Sequence, residues 1–430
     1  GSTAGGSTAG GSTAGGSTAG GSTAGGSTAG GSTAGGSTAG GSTAGGSTAG
    51  GSTAGGSAAG GSAGGSTAGG SAGGSTAGGS AGAPNFMVLR VGFDGGTASP
   101  SGVGTPGYLD EHASDTGAWV RSIVLSNPPV AGSPLVFSGS ATSDGVVNRS
   151  VDGQYVTVTG YLSAINTSAV VTAPNVTRCV ARVNAAGAVD FSTLVNDAYQ
   201  WNNIRSAATN NGAVYWLGGT STNNTPANQD AGVRLVVHGS AGPTTSIYNI
   251  VTNIRATFLT SNALYASTGS GTAPDGGTEF SRVFSLGPTP MAQTSTQIYL
   301  GGINLNNPQG IAVLDLSATV AGDDTIYVSD TNSAGGVRKF TFNGMVWTET
   351  AQFILGVTDG GVGVNTSCLQ VAAKQVGPDI VVLCTTSETH TNRVVRFVDV
   401  GGASTGQPVG ATIVTAPAFQ AFRGVAFSPQ

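Results

Sequence analysis

Charge is scarce in this 430-residue chain: 8% of its residues are Asp, Glu, Lys or Arg, and only Lys339 and Lys374 are lysines. With 20 acidic against 15 basic residues the formal net charge is −5, which argues against nucleic acid or an anionic membrane surface as partner. No run of 18 apolar residues occurs, so no transmembrane helix is expected. Histidine is limited to His112, His238 and His390, no two at metal-ligand spacing, and the acidic pairs such as Asp323–Asp324 read as turn chemistry rather than a calcium ladder. There is no phosphate loop and no nucleophile elbow. These absences predict no catalytic residue, no cofactor and no metal, hence a protein that is not an enzyme.

The first 82 residues lack still more. They contain 34 Gly, 18 Ala, 17 Ser and 13 Thr, with no charge and no aromatic ring. Eleven copies of GSTAG run from Gly1 to Gly55, one GSAAG follows, and GSAG then alternates with GSTAG up to Gly82. Such a segment cannot bury enough apolar area to offset roughly 1–2 kcal/mol of backbone entropy per residue. Order would have to come from outside it. A cross-β stack, a solenoid reusing the five-residue period, a bundle of extended Gly-rich chains, and a sheath of O-linked sugars all stay open. Ser2, Thr3, Ser7, Thr8 and Thr13 represent the acceptors for such sugars. The alternative is a flexible linker. The chain begins inside the repeat, without Met or a signal peptide, and reads as a mature or truncated form of an exported protein.

Residues 1–84 form the low-complexity fibrous repeat, and residues 85–430 a second region of different composition. From Phe86 onward short runs rich in Val, Ile, Thr and aromatics alternate with Gly, Asn, Asp, Ser and Pro clusters, an all-β pattern. The runs recur every 50–60 residues or so, which suggests propeller blades. The clearest unit, 307–355, reads as GIAVLDL, DTIYVSD, GVRKFTF and MVWTETAQFIL, four strands in a meander. It resembles the NHL-type propeller repeat through Pro308, Gly310, Tyr327, Val328, Asp330, Thr331, Arg338 and Phe340. That resemblance implies a secreted six-bladed propeller, here joined to a silk-like repeat of the kind found in extracellular fibre proteins.

Similar units start at Gly145, Asn203, Asn253 and Ser367. One lone strand remains at 422–428 and three at the start of the domain, so a sixth blade closed by both ends of the chain is expected; seven blades is the alternative. Long polar loops gathered on one face (94–106, 163–174, 219–232, 269–279) mark the side where binding is expected.

Arg205, Arg255 and Arg423 stand at matching places on innermost strands, with Arg149 nearby in a fourth blade. They read either as a cationic ring at one channel mouth, suited to a carboxylate or acidic glycan, or as structural partners of the next blade. Cys368 and Cys384 fall on paired strands at a separation compatible with a disulfide, which would imply an oxidising compartment; Cys179 has no obvious partner. Five N-x-S/T acceptors permit N-glycosylation at Asn148, Asn166, Asn175, Asn223 and Asn365. The combined expectation is an extracellular or cell-surface structural protein that forms or decorates a filament. Its repeat pairs with copies of itself, and glycans are bound or covalently attached. A glycan-binding propeller on a stalk is the alternative, and a secreted polysaccharide-active enzyme ranks below both.

Overall fold

A computed structural model describes residues 82–126, 133–222, 230–270, 282–331, 336–356 and 366–430. The chain divides into two units, Gly1–Ser75 and Thr76–Gln430, and all the described residues belong to the second. The GSTAG array, with its Ser2, Thr3, Ser7, Thr8 and Thr13 acceptors, lies outside the described residues, as do Asn223 and Asn365.

Among the described residues there is no α-helix, and 25 strands follow one another in antiparallel meanders. In chain order the first group is β1 (Asn85–Val91), β2 (Gly104–Ala113) and β3 (Trp119–Val124), then the short β4 (Leu135–Ser138). The second comprises β5 (Val147–Arg149), β6 (Tyr155–Leu162), β7 (Thr177–Asn184) and β8 (Val189–Val195). Next come β9 (Ile204–Ala208), β10 (Val214–Gly219), β11 (Gly232–Val237) and β12 (Thr245–Tyr248). They are followed by β13 (Ile254–Leu259), β14 (Leu264–Thr268), β15 (Val283–Ser285) and β16 (Ile298–Tyr299). The last two groups are β17 (Pro308–Leu314), β18 (Thr325–Asp330), β19 (Val337–Phe342), β20 (Trp347–Leu355), and β21 (Cys368–Val376), β22 (Asp379–Thr386), β23 (Arg393–Asp399), β24 (Val409–Thr415). The final strand, β25 (Ala421–Phe427), pairs with β1 from Phe86↔Phe427 to Val91↔Ala421, so both ends of the described chain share one sheet.

The innermost strands touch in sequence: β25 meets β5, β5 meets β9, β9 meets β13, β13 meets β17, β17 meets β21, and β21 returns to β25. Meanders whose inner strands close on themselves in this way make a β-propeller. Side-chain alternation builds the layers between them. On β1, Met87, Leu89 and Val91 pack with Val156, Val158 and Ala181 of the second meander. Their neighbours Phe86 and Val88 face the other way and pack with Val381, Leu383 and Val394. On β22, Ile380, Val382 and Cys384 join Tyr327 and Phe353, whereas Val381 and Leu383 turn to the next layer. A strand buried on both faces in this way needs a near-continuous apolar run, which IVVLC supplies on β22; on β6 Thr157 and Thr159 alternate with Val156 and Val158, and Thr157 Oγ1 donates to Ala207 O at 2.6 Å.

Two connections stitch neighbouring meanders beyond the inner strands. Strand β4, absent from the sequence reading, pairs with β2 (Gly104↔Ser138) and with β6 (Leu135↔Leu162). On the opposite side β20 and β24 pair in parallel at Ile354↔Val409. In the unit resembling an NHL repeat, Asp330 at the end of β18 accepts from Asn306 N and Asn307 N, both at 3.1 Å, and so holds the entry to β17. Asn307 Nδ2 donates to Thr331 Oγ1 at 2.6 Å.

Candidate functional site

The inner strands run in one direction, so their starts lie at one end of the channel and their ends at the other. The starts carry the arginines. Arg205 and Arg255 are the second residues of β9 and β13, and Arg423 the third of β25. Arg423 is 1% exposed and Arg205 6%, while Arg255 is half-buried. One carboxylate joins them: Asp144, 2% exposed, in the turn leading into β5.

The charges share one neighbourhood without forming ion pairs. Arg205 Nη1 donates to Asn253 Oδ1 at 2.6 Å and to Ile254 O at 2.9 Å, on the strand that carries Arg255. Arg423 Nη2 donates to Gly139 O at 2.8 Å. Arg255 lies over Gly269, where an added Cβ would come within 2.7 Å of its Nε. None of the ion pairs among the described residues includes Arg205, Arg255, Arg423 or Asp144. Five polar atoms stay without a hydrogen bond: Nε of all three arginines, Nη1 of Arg423 and Oδ2 of Asp144.

Burial dominates the electrostatics. It pushes the Asp144 carboxyl up to about 7, against the opposing pull of Arg423 and Arg205. Arg205 is drawn down to about 9 by burial and then by the charge of Arg255. Arg423 and Arg255 are lowered by burial too. A guanidinium remains protonated at neutral pH under such shifts, so Arg205, Arg255 and Arg423 keep their charge beside Asp144.

Arg149 corrects the expectation of a single ring. It ends β5 and lies at the opposite mouth, because β5 is only three residues long and its start is occupied by the Asp144 turn. There it donates from Nε to Ser428 O at 3.2 Å and lines a cavity of about 290 Å³ with Asn148, Phe258, Val313, Lys374 and Phe427. Burial lowers Lys374, and the neighbouring Arg149 charge adds to it.

Asn148 is likewise corrected. It is 7% exposed, and its Nδ2 donates to Ala207 O and Thr257 O, both at 3.0 Å, inside the channel wall, so a glycan on this nitrogen does not fit the folded protein. Asn166 and Asn175 are exposed on the long loop between β6 and β7, both with positive φ (68° and 60°), a conformation Asn tolerates well.

Cys368 and Cys384 are joined by a disulfide, with Cα atoms 5.8 Å apart. The pair is not directly cross-strand: Val371 stands opposite Cys384, and a bulge near Gln370 brings Cys368 round to it. Cys179 is buried and free. The histidines stay apart. His112 stacks on Phe86 at 5.5 Å with Nδ1 2.9 Å from Gly117 O, His238 sits 3.3 Å from Asp190, and His390 lies in a loop beside Phe419. Among the described residues no three His, Cys, Asp or Glu side chains gather as metal ligands. No described helix is long and apolar enough to cross a membrane.

The channel that places the three arginines together also includes Asp144, which sequence reading missed because TSDGV carries the signature of a turn.

No protein-family model matches the chain, and no curated protein matches it. Among solved structures it is similar to TolB from Acinetobacter baumannii, at 10% identity and a TM-score of 0.45 over 81% of this chain and 67% of that one. It is also similar to a quinonprotein alcohol dehydrogenase-like protein from Bacteroides thetaiotaomicron, at 10% identity and a TM-score of 0.35, covering 80% and 91% of the two chains. A glucose dehydrogenase is similar at 12% identity and a TM-score of 0.40, covering 72% and 95%. The expectation that the chain is not an enzyme is corrected on this finding: enzymes stand among the structures it is similar to. No reaction and no residue role passes from them to this chain.

Proposed function

We propose that the chain is an extracellular or cell-surface structural protein that holds a six-bladed propeller on its Gly/Ser/Thr/Ala segment, which associates with copies of itself into a filament. The count of six rests on the six meanders and on the hydrophobic layer between each pair of neighbours. The observation that carries the display reading is where the chain enters the propeller. β1 starts opposite the end of β25, Pro84 O accepts from Ser114 N, and Gly82 and Pro84 line a cleft with Gly377 and Pro378 of the β21–β22 turn. Entry is thus on the short-turn side. The long loops 92–103 and 163–176 sit on the other side, which suits a unit presented outward from its attachment.

Electron microscopy tests the assembly half. Filaments from the whole chain, and a folded monomer from residues 83–430, support it. Polymerisation of the truncated protein, or a whole chain that stays monomeric with and without glycosylation, overturns it.

A second reading, a glycan-binding propeller on a stalk, is favoured by the unneutralised guanidinium groups in the channel. A glycan array on residues 83–430 tests it: binding confined to acidic glycans supports it, and no binding removes it.

A further inference from the structure

We propose that the long-loop end of the channel is an oxyanion site in which Arg205, Arg255 and Arg423 hold one carboxylate group, as carried by a sugar acid or another small organic acid. It is independent of filament assembly and deepens the glycan-binding reading by naming the recognised group.

The first argument is charge. Among the described residues Arg205, Arg255 and Arg423 bring three guanidinium groups to this end of the channel, the Asp144 carboxyl acts on two of them, and Arg205 and Arg423 are almost wholly removed from water. Buried charge without a partner is costly, and arginine does not escape by losing its proton. A bound anion would relieve it.

Donor geometry is the second. Arg205 and Arg423 each spend nitrogens on neutral acceptors of neighbouring segments, which fixes the side chains. The nitrogens left over, Nε on all three and Nη1 on Arg423, have no acceptor. A fixed guanidinium with open N–H groups in a dry setting is how proteins bind carboxylates.

Asp144 is the third. It is the acid whose charge acts on both Arg205 and Arg423, and its Oδ2 is unfilled. The groups facing it are those two arginines, the Tyr161 phenol and the Asn203 amide. Ionised, it competes with an incoming anion for the arginines. Protonated, it leaves three cations unopposed and can itself donate. Its carboxyl titrates at about 7, so the anion binds more tightly in mildly acidic solution.

The test is calorimetric titration of the whole chain with sodium D-glucuronate, with D-glucose and sodium sulfate as controls at matched ionic strength. The site predicts saturable one-to-one glucuronate binding, none for glucose, and an affinity at least about threefold higher near pH 6 than near pH 8.5. Arg255→Gln, at the least buried of the three positions, should weaken binding at least about tenfold while leaving the circular dichroism unchanged. If Arg423→Gln fails to fold, Arg255→Gln still decides. Unchanged affinity in that variant moves the anion elsewhere and overturns the assignment. Glucose binding equal to glucuronate, or sulfate binding in its place, overturns the carboxylate. Absence of saturation up to about 50 mM, a binding energy of only about 2 kcal/mol, overturns the site. Filament formation is read separately, so failure here leaves that proposal standing.

Discussion

Replacing Lys339 with Met leaves the Asp399 carboxylate buried without its cation. Lys339 Nζ lies 2.6 Å from Asp399 Oδ2, with the two side chains 1% and 0% exposed, and the pair ties β19 to β23 of the next meander. Nζ also donates to Gly402 O at 2.5 Å. Breaking a buried pair from one side costs about 3–5 kcal/mol, a large part of the roughly 5–15 kcal/mol that holds a typical native state. Two donors stay on the carboxylate: Tyr327 Oη at 2.5 Å from Oδ2 and Ser404 N at 2.7 Å from Oδ1. They place the expected loss near the low end, about 3 kcal/mol. Burial, and then the bond to Asp399, raises the Tyr327 phenol, so it remains a donor throughout. The double variant Lys339→Met/Asp399→Asn removes both charges and should recover most of the loss. Urea unfolding followed by tryptophan fluorescence, with the m-value unchanged, measures each term. A single variant costing under about 1 kcal/mol, or a double variant whose cost is the sum of the singles, refutes the reasoning.

Asp144→Asn tests the channel carboxyl through pH. Its folded value of about 7 lies above the ordinary 3.8, so its contribution to stability is present below about pH 4 and lost as pH rises to about 7. The wild-type protein should lose on the order of 4 kcal/mol more than the Asn variant between those values in unfolding titrations. Reducing the Cys368–Cys384 bridge, which spans a sequence separation of 16, should lower stability by about 3 kcal/mol, read as a drop in melting temperature with dithiothreitol that Cys368→Ala/Cys384→Ala reproduces. Gly424→Ala sets a Cβ 2.2 Å from Val147 N and 2.4 Å from Gly145 O, where β25 crosses the entry to β5. Both contacts are backbone, so the substitution should cost about 1–3 kcal/mol or more by thermal unfolding.

The strands were legible because a propeller is a local fold: most strands pair with their neighbours in sequence, and turns such as Asn343–Gly344 punctuate them. Both ends of the propeller region contributing to one sheet could be read from a lone run at 422–428 and a surplus of runs after Phe86. What escaped is non-local. β4 is four residues between Pro134 and Gly139, too short to register as a period, and its partners β2 and β6 belong to different meanders. The Lys339–Asp399 pair left no mark in sequence because its members lie 60 positions apart in different meanders. Arg149 resembles the other arginines in sequence because it follows the start of a unit as they do, whereas β5 holds three residues and presents Arg149 at its far end. Asn148 matches an acceptor motif that reports nothing of burial.

The most direct test is an electron-density map of the whole chain crystallised near pH 6 with glucuronate. The account predicts a carboxylate within hydrogen-bond distance of Nε of Arg205 and Arg423, with Arg255 closing over it. A channel filled by water alone, with Asp144 swung into contact with the arginines, would contradict it.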